Sequence, residues 1–139
     1  MHEHPVQRWH DIVRGQDLRG LEALLADDAV FLSPVVHTPQ RGKALALMYL
    51  SAAFRVFYNP SFHYVREIVG EADAMLEFET EIDGVLVNGV DIVKWNPAGR
   101  IVEFKVMLRP LKAINVVQQR MAELLAGGRP AAPPAGNAP

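Results

Sequence analysis

The chain has 139 residues, half of them hydrophobic, with 14 Lys and Arg against 16 Asp and Glu and no cysteine. That length suits one domain with a single core, and a formal charge of -2 with both signs dispersed gives no basic footprint for nucleic acid or an anionic membrane. The absence of cysteine excludes disulfides, thiolate metal sites and thiol nucleophiles.

The start, Met1-His2-Glu3-His4-Pro5, is polar, and no apolar run approaches the roughly 18 residues of a membrane helix, so a cytoplasmic protein is expected. Val6, Trp9 and Val13 recur at helical spacing. Asp17 then caps a second helical run with a stripe of Leu18, Leu21, Leu24 and Leu25. Ala29 to Ser33 reads as a short strand stopped by Pro34. After a loop, Val35 to Gly42, a third helix spans Ala44 to Phe57, apolar on two faces and therefore in need of burial on both.

From Asn59-Pro60 the period changes to two, and an antiparallel meander is expected with strands over Phe62–Val69, Ala74–Ile82, Val85–Trp95 and Arg100–Leu108. Asp83-Gly84 has the composition of a two-residue hairpin turn, and Asn96 to Gly99 that of a longer one. Leu76, Phe78, Thr80 and Ile82 alternate with Met75, Glu77, Glu79 and Glu81, which predicts a sheet with one core face and one solvated face. After Pro110 a closing helix carries Leu111, Ile114, Val117, Met121 and Leu124 along one stripe and stops at Gly127-Gly128. The domain is read as residues 1–127, and residues 128–139, rich in Ala, Pro and Gly, as a disordered tail.

One acid interrupts the oil. Asp91 lies in Gly89-Val90-Asp91-Ile92-Val93, and an unpaired carboxylate buried there costs several kcal/mol or more. It must find a partner, keep its proton, or do chemistry. If it shares the inner side with Val87, Gly89 and Val93, desolvation raises its pKa and leaves a neutral hydrogen-bond donor. The structural alternative is a satisfied polar residue bonded to the Trp9 indole N–H, a Tyr hydroxyl or a buried water.

Asp17-Leu18, the run Leu24-Leu25-Ala26-Asp27-Asp28-Ala29-Val30 leading to Pro34, Arg41-Gly42, and Val90 to Trp95 followed by Gly99-Arg100-Ile101 stand in an order and spacing that resembles the nuclear-transport-factor-2-like superfamily, in its SnoaL-like polyketide cyclase and ketosteroid-isomerase-like branch. The resemblance covers about Val6 to Leu125. It implies an α+β cone: a curved antiparallel sheet wrapped around an apolar pocket, closed by the N-terminal helices, with a C-terminal helix. It also implies a homodimer through the outer sheet face, where Met75, Glu77, Glu79 and Glu81 meet Lys105, Met107 and Arg109. Asp91 falls where ketosteroid isomerases hold a protonated aspartic acid. The resemblance puts Ser33 where their proton-shuttling carboxylate stands and Trp9 where their phenol stands. Serine is too weak a base for that step without an activating neighbour, so ketosteroid isomerase activity itself is not expected.

A cyclase-like site needs one acid/base aspartate, for which Asp91 qualifies, with His37 or His63 as a second group if either enters the pocket. The histidines have no metal-ligand spacing, and no metal or cofactor is expected. The expected pocket lining is Trp9, Phe31, Ser33, Met48, Tyr49, Val87, Val93, Phe104 and Val106, with Met48 and Tyr49 as an adaptable pair for flat ligands. The functional expectation is a pocket for a small, largely apolar, oxygen-bearing molecule, with proton transfer, cyclisation or hydration at Asp91. The alternative is a non-catalytic ligand-binding or dimerisation module.

Overall fold

The computed structural model describes residues 4–127. The tail assigned to 128–139 and the first three residues lie outside the described residues. Helix α1, Pro5–Gly15, starts where His4 Nδ1 accepts the Val6 N–H at 3.1 Å and Pro5 fills a position that has no N–H to satisfy. It ends at Gln16, in the left-handed region at φ 50°. Helix α2, Leu18–Leu24, is capped as expected by Asp17, which accepts the Gly20 N–H at 3.0 Å. The two helices bury Val6, Trp9, Ile12, Leu21 and Leu24.

Strand β1, Leu25–Leu32, begins earlier than the sequence pattern suggests: Leu25 opens the strand instead of closing the helical stripe. Asp27 and Asp28 lie within it at exposed positions, where the pairing shifts register. The loop that follows contains a two-residue strand, β2, Gln40–Arg41, paired antiparallel with β1. Helix α3, Lys43–Phe57, buries Ala46, Leu50, Ala53, Phe54 and Phe57, while Leu47, Met48 and Tyr49 are half-buried.

Strands β3 (His63–Val69), β4 (Asp73–Ile82), β5 (Val85–Trp95) and β6 (Ile101–Arg109) form the expected antiparallel meander. Asp83 and Gly84 turn the β4–β5 hairpin at φ 52° and 80°, the positive values that a tight turn matching strand twist demands. The six-stranded sheet runs β2-β1-β6-β5-β4-β3, and β1 joins β6 in parallel, so the sheet is mixed rather than wholly antiparallel. No local signal announces that pairing, because the two strands are separated by α3 and the rest of the meander.

On the inner face Leu76, Phe78, Thr80, Val87, Asp91, Val93, Phe104 and Val106 are buried, and the helices pack over that face. Helix α4, Leu111–Gly127, buries Ala113, Val117 and Met121. Leu111 departs from the expected stripe at 71% exposure. Two residues of helix turn it about 200° from Ala113, away from the buried line. None of the described helices is long and apolar enough to cross a membrane.

Candidate functional site

Asp91 sits on the inner row of β5, opposite Leu76 of β4 on one side and Val106 of β6 on the other, and is 2% exposed. Of the alternatives open to it, it takes a tyrosine. The Tyr64 hydroxyl donates to Asp91 Oδ2 at 2.9 Å, and Trp9 Nε1–H donates to the Tyr64 oxygen at 2.8 Å. Among the described residues Asp91 Oδ1 makes no hydrogen bond. The result is a chain of indole, phenol and carboxyl linking α1, β3 and β5.

Burial pushes the Asp91 carboxyl up to about 7, and the Tyr64 hydrogen bond, which favours the anion, works against that rise. Tyr64 is itself held well above the ordinary phenol value by burial first, then by the negative charge on Asp91. Tyr58 is raised likewise, by burial and then by Asp91. At neutral pH, then, one carboxyl near its midpoint is surrounded by phenols that keep their protons. It can give or take a proton without the large energy that an ordinary aspartate would need.

Aromatic rings form the surroundings. Trp9 lies 4.8 Å from Phe104, Phe104 lies 6.4 Å from Phe31, and Phe31 stacks on Tyr49 at 5.7 Å. Four of the expected lining residues thus form one continuous row, and Val87, Val93 and Val106 complete the same inner face. Others are not brought there. Met48 lines a different cleft of about 310 Å³, between helices, with Leu18, Phe54 and Leu124. Ser33 is half-buried, and its Oγ accepts the N–H groups of Val35 and Val36 at 3.1 and 3.3 Å, closing a turn.

Neither histidine proposed as a second acid/base joins Asp91. His37 is exposed in the loop after β1. His63 pairs in register with Glu79 on the outer side of the sheet, with its Nε2 3.5 Å from the Glu79 carboxylate, and is exposed.

Asp91 is not among the residues that line the clefts of about 410, 310 and 480 Å³. It stands one side chain back from a cleft of about 480 Å³ whose wall includes His10, Val13, Tyr58, Phe62, His63 and Tyr64. The Tyr64 side chain connects the Asp91 carboxyl to that cleft. Large rings occupy the space over the inner face: Phe62 stacks on Phe78 at 5.1 Å, and Tyr58 meets Phe62 edge-on at 4.3 Å.

Tyr64 and His10 are the residues that the sequence pattern did not assign to the site, and for Tyr58 it gave a cavity-side aromatic without a role for the hydroxyl. The strand pattern around Tyr64 is broken by a register shift: Tyr64 opposes Phe78 and Arg66 opposes Glu77, so Val65 is an extra residue. A bulge of this kind reverses the alternation from which inward and outward positions are read. Tyr58 lies four residues after Phe54, a helical spacing that marks a shared face but not a hydroxyl aimed at an acid.

Residues 6–104 match the SnoaL-like domain family. The chain belongs to that family. Among solved structures, this SnoaL-like protein is similar to a steroid delta-isomerase from Pseudomonas aeruginosa, with 33% identity, a TM-score of 0.84, and coverage of 88% of this chain and 90% of that one. It is similar also to an uncharacterised protein with a cystatin-like fold from Silicibacter pomeroyi, at 27% identity and a TM-score of 0.83, covering 89% of this chain and 86% of that one. An NTF2-like protein of unknown function from Mesorhizobium loti shares the fold at 22% identity, with a TM-score of 0.66 and coverage of 76% and 88%.

Proposed function

We propose that this SnoaL-like protein binds a small, largely apolar, oxygen-bearing molecule, taken up through the cleft walled by Tyr58, Phe62 and Tyr64, and transfers a proton on it with Asp91 as the acid/base group. The observation that carries this reading is a buried carboxyl held at about 7, with Oδ2 tied to Tyr64 and Oδ1 uncommitted. A protonated Asp91 has a hydrogen to offer a ligand oxygen, and the phenols beside it strengthen that hydrogen bond in a medium poor in water. The aromatic walls suit flat apolar ligands, and the 33% identity with a protein named a steroid delta-isomerase supports the same ligand class.

The test uses 2-naphthol, a flat apolar molecule with one hydroxyl, followed by its fluorescence. Wild-type protein is expected to bind it, and Trp9→Phe or Tyr64→Phe to weaken binding about tenfold by removing a link of the chain. Affinity unchanged in both variants would sink the assignment of the site.

The outer sheet face supports a second proposal, a homodimer. Arg66 Nε donates to Glu77 Oε1 at 3.1 Å, Asn88 Nδ2 to Glu77 Oε2 at 3.0 Å, and Arg109 to Asn88 Oδ1 at 3.2 Å, a polar line across four strands. Exposed Ile68, Met75 and Met107 flank it in a groove of about 410 Å³. A contiguous apolar surface with complementary charges suits a second copy related by a two-fold axis. Sedimentation is expected to give a dimer, and Met107→Asp a monomer.

A further inference from the structure

Helix α3 buries one line of residues, Ala46, Leu50, Ala53 and Phe57, in the core. A second line, Met48, Ser51, Ala52 and Arg55, repeats at helical spacing on another face and forms one wall of the helix cleft of about 310 Å³. Leu18 of α2 and Leu124 and Leu125 of α4 supply apolar wall around it. Leu18 is 47% exposed, so the cleft keeps apolar surface in water that a ligand would cover.

The polar part of this cleft has one sign of charge. Ser51 and Arg55 are four residues apart, neighbours on the helix surface, and both line it. Arg14, Arg66 and Arg120 each have a carboxylate partner, whereas among the described residues Arg55 has none, and no Asp or Glu lines the cleft. A guanidinium with a hydroxyl beside it offers charge-assisted donors to a carboxylate, and the leucines and Met48 offer a flexible surface to an alkyl chain. The size points the same way. A stable protein partner covers roughly 800 Å² on each side, which the few side chains of this cleft do not offer, whereas about 300 Å³ is enough for a small molecule.

We propose that the cleft between α2, α3 and α4 is a second ligand site, separate from the one at Tyr64, and that it takes a medium-chain fatty acid. The carboxylate meets Arg55 and Ser51, and the chain lies along Leu18, Met48, Leu124 and Leu125. Phe54 joins the two sites, since it lines this cleft and meets Trp9 and Tyr58 edge-on at 5.6 and 4.9 Å.

The probe is octanoate, titrated into the full chain with its methionine methyl groups labelled for NMR. Met48 reports on this cleft, and Met75 and Met107 on the groove of the outer sheet face. Octanoate is expected to move the Met48 signal to saturation and leave Met75 and Met107 in place. Hexanoate should bind about tenfold more weakly, because two methylenes fewer leave water. Arg55→Gln should weaken octanoate about tenfold and change octanol affinity less than about twofold, the split that separates a charge contact from apolar adhesion. Leu18→Ser should weaken both ligands. Both substitutions fall at exposed positions, and unchanged circular dichroism confirms that the variants fold. A Met48 signal that does not respond, a response confined to Met75 and Met107, or undiminished octanoate affinity in Arg55→Gln overturns the proposal. Competitive displacement of octanoate by 2-naphthol overturns it as well, because the two sites would then be one.

Discussion

Adjacent positions on β4 and β5 place two carboxylates on opposite faces of one sheet. Glu77 looks outward, half-buried, between Arg66 and Asn88. Asp91 looks inward, with a phenol as its partner and no cation. The outer acid is compensated by a cation and an amide at a partly exposed position, whereas burial drives the inner one up to about 7 and its one hydroxyl partner only partly offsets that rise. A shift of one residue in register separates a surface ion pair from a potential proton donor. The face of the sheet, more than the residue type, decides the chemistry.

The contrast is sharpest where the inner face is cut. Phe104→Ala removes a buried ring packed between Trp9 and Phe31 and is expected to lower stability by about 3–5 kcal/mol in a urea titration. A loss below about 1 kcal/mol would mean that the aromatic row is loosely packed.

Asp91→Asn tests the charge itself. Because the folded-state value of about 7 lies above the ordinary 3.8, the folded chain keeps a proton that the unfolded chain releases between those two pH values. Stability therefore falls as pH rises from about 4 to 7 and is level above that, by on the order of 4 kcal/mol in all from this one group. Denaturant titrations at stepped pH should show the slope in wild type and its loss in the variant. Identical slopes would place the titrating group elsewhere.

Tyr64→Phe leaves Trp9 Nε1–H and Asp91 Oδ2 without a partner and is expected to cost about 1–3 kcal/mol. Since the Tyr64 hydrogen bond holds the Asp91 value down, its removal should raise that value further, read from the carboxyl carbon by NMR titration.

The smallest effect belongs to the outer face. Glu77→Gln, at a half-buried and partly solvated ion pair, should change monomer stability by less than about 1 kcal/mol. If it cost as much as Tyr64→Phe, the two faces would not differ as described.

Most of the fold was legible because its signals are local. The Asp17 cap, the Asp83-Gly84 turn and the alternation of Leu76, Phe78, Thr80 and Ile82 depend on residues a few positions apart, and each appears as expected. The inward direction of Asp91 followed from the same alternation. The misplaced features come from interactions that short-range pattern does not encode: the parallel pairing of β1 with β6, the early start of β1 at Leu25, and the turn of Leu111 to solvent. Trp9, Phe31, Phe104 and the valines are buried, as their periodicity implies. The direction of His63 could not be read from the strand pattern: it pairs with Glu79 and stands in the wall of the cleft beside Tyr64, whereas His37 lies exposed in the loop after β1.

By itself the sequence determined that one acid would be buried in an apolar strand, because a period of two leaves a residue between Val90 and Ile92 on the side of Val87 and Val93. Only the tertiary structure decided what that acid meets. A bulge at Val65 turns Tyr64 inward, and the packing of α1 over the sheet brings Trp9 and His10 beside it. These partners lie as many as 55 residues apart along the chain. Contacts at that separation are set by how whole elements pack, to which the pattern within any one strand or helix is blind.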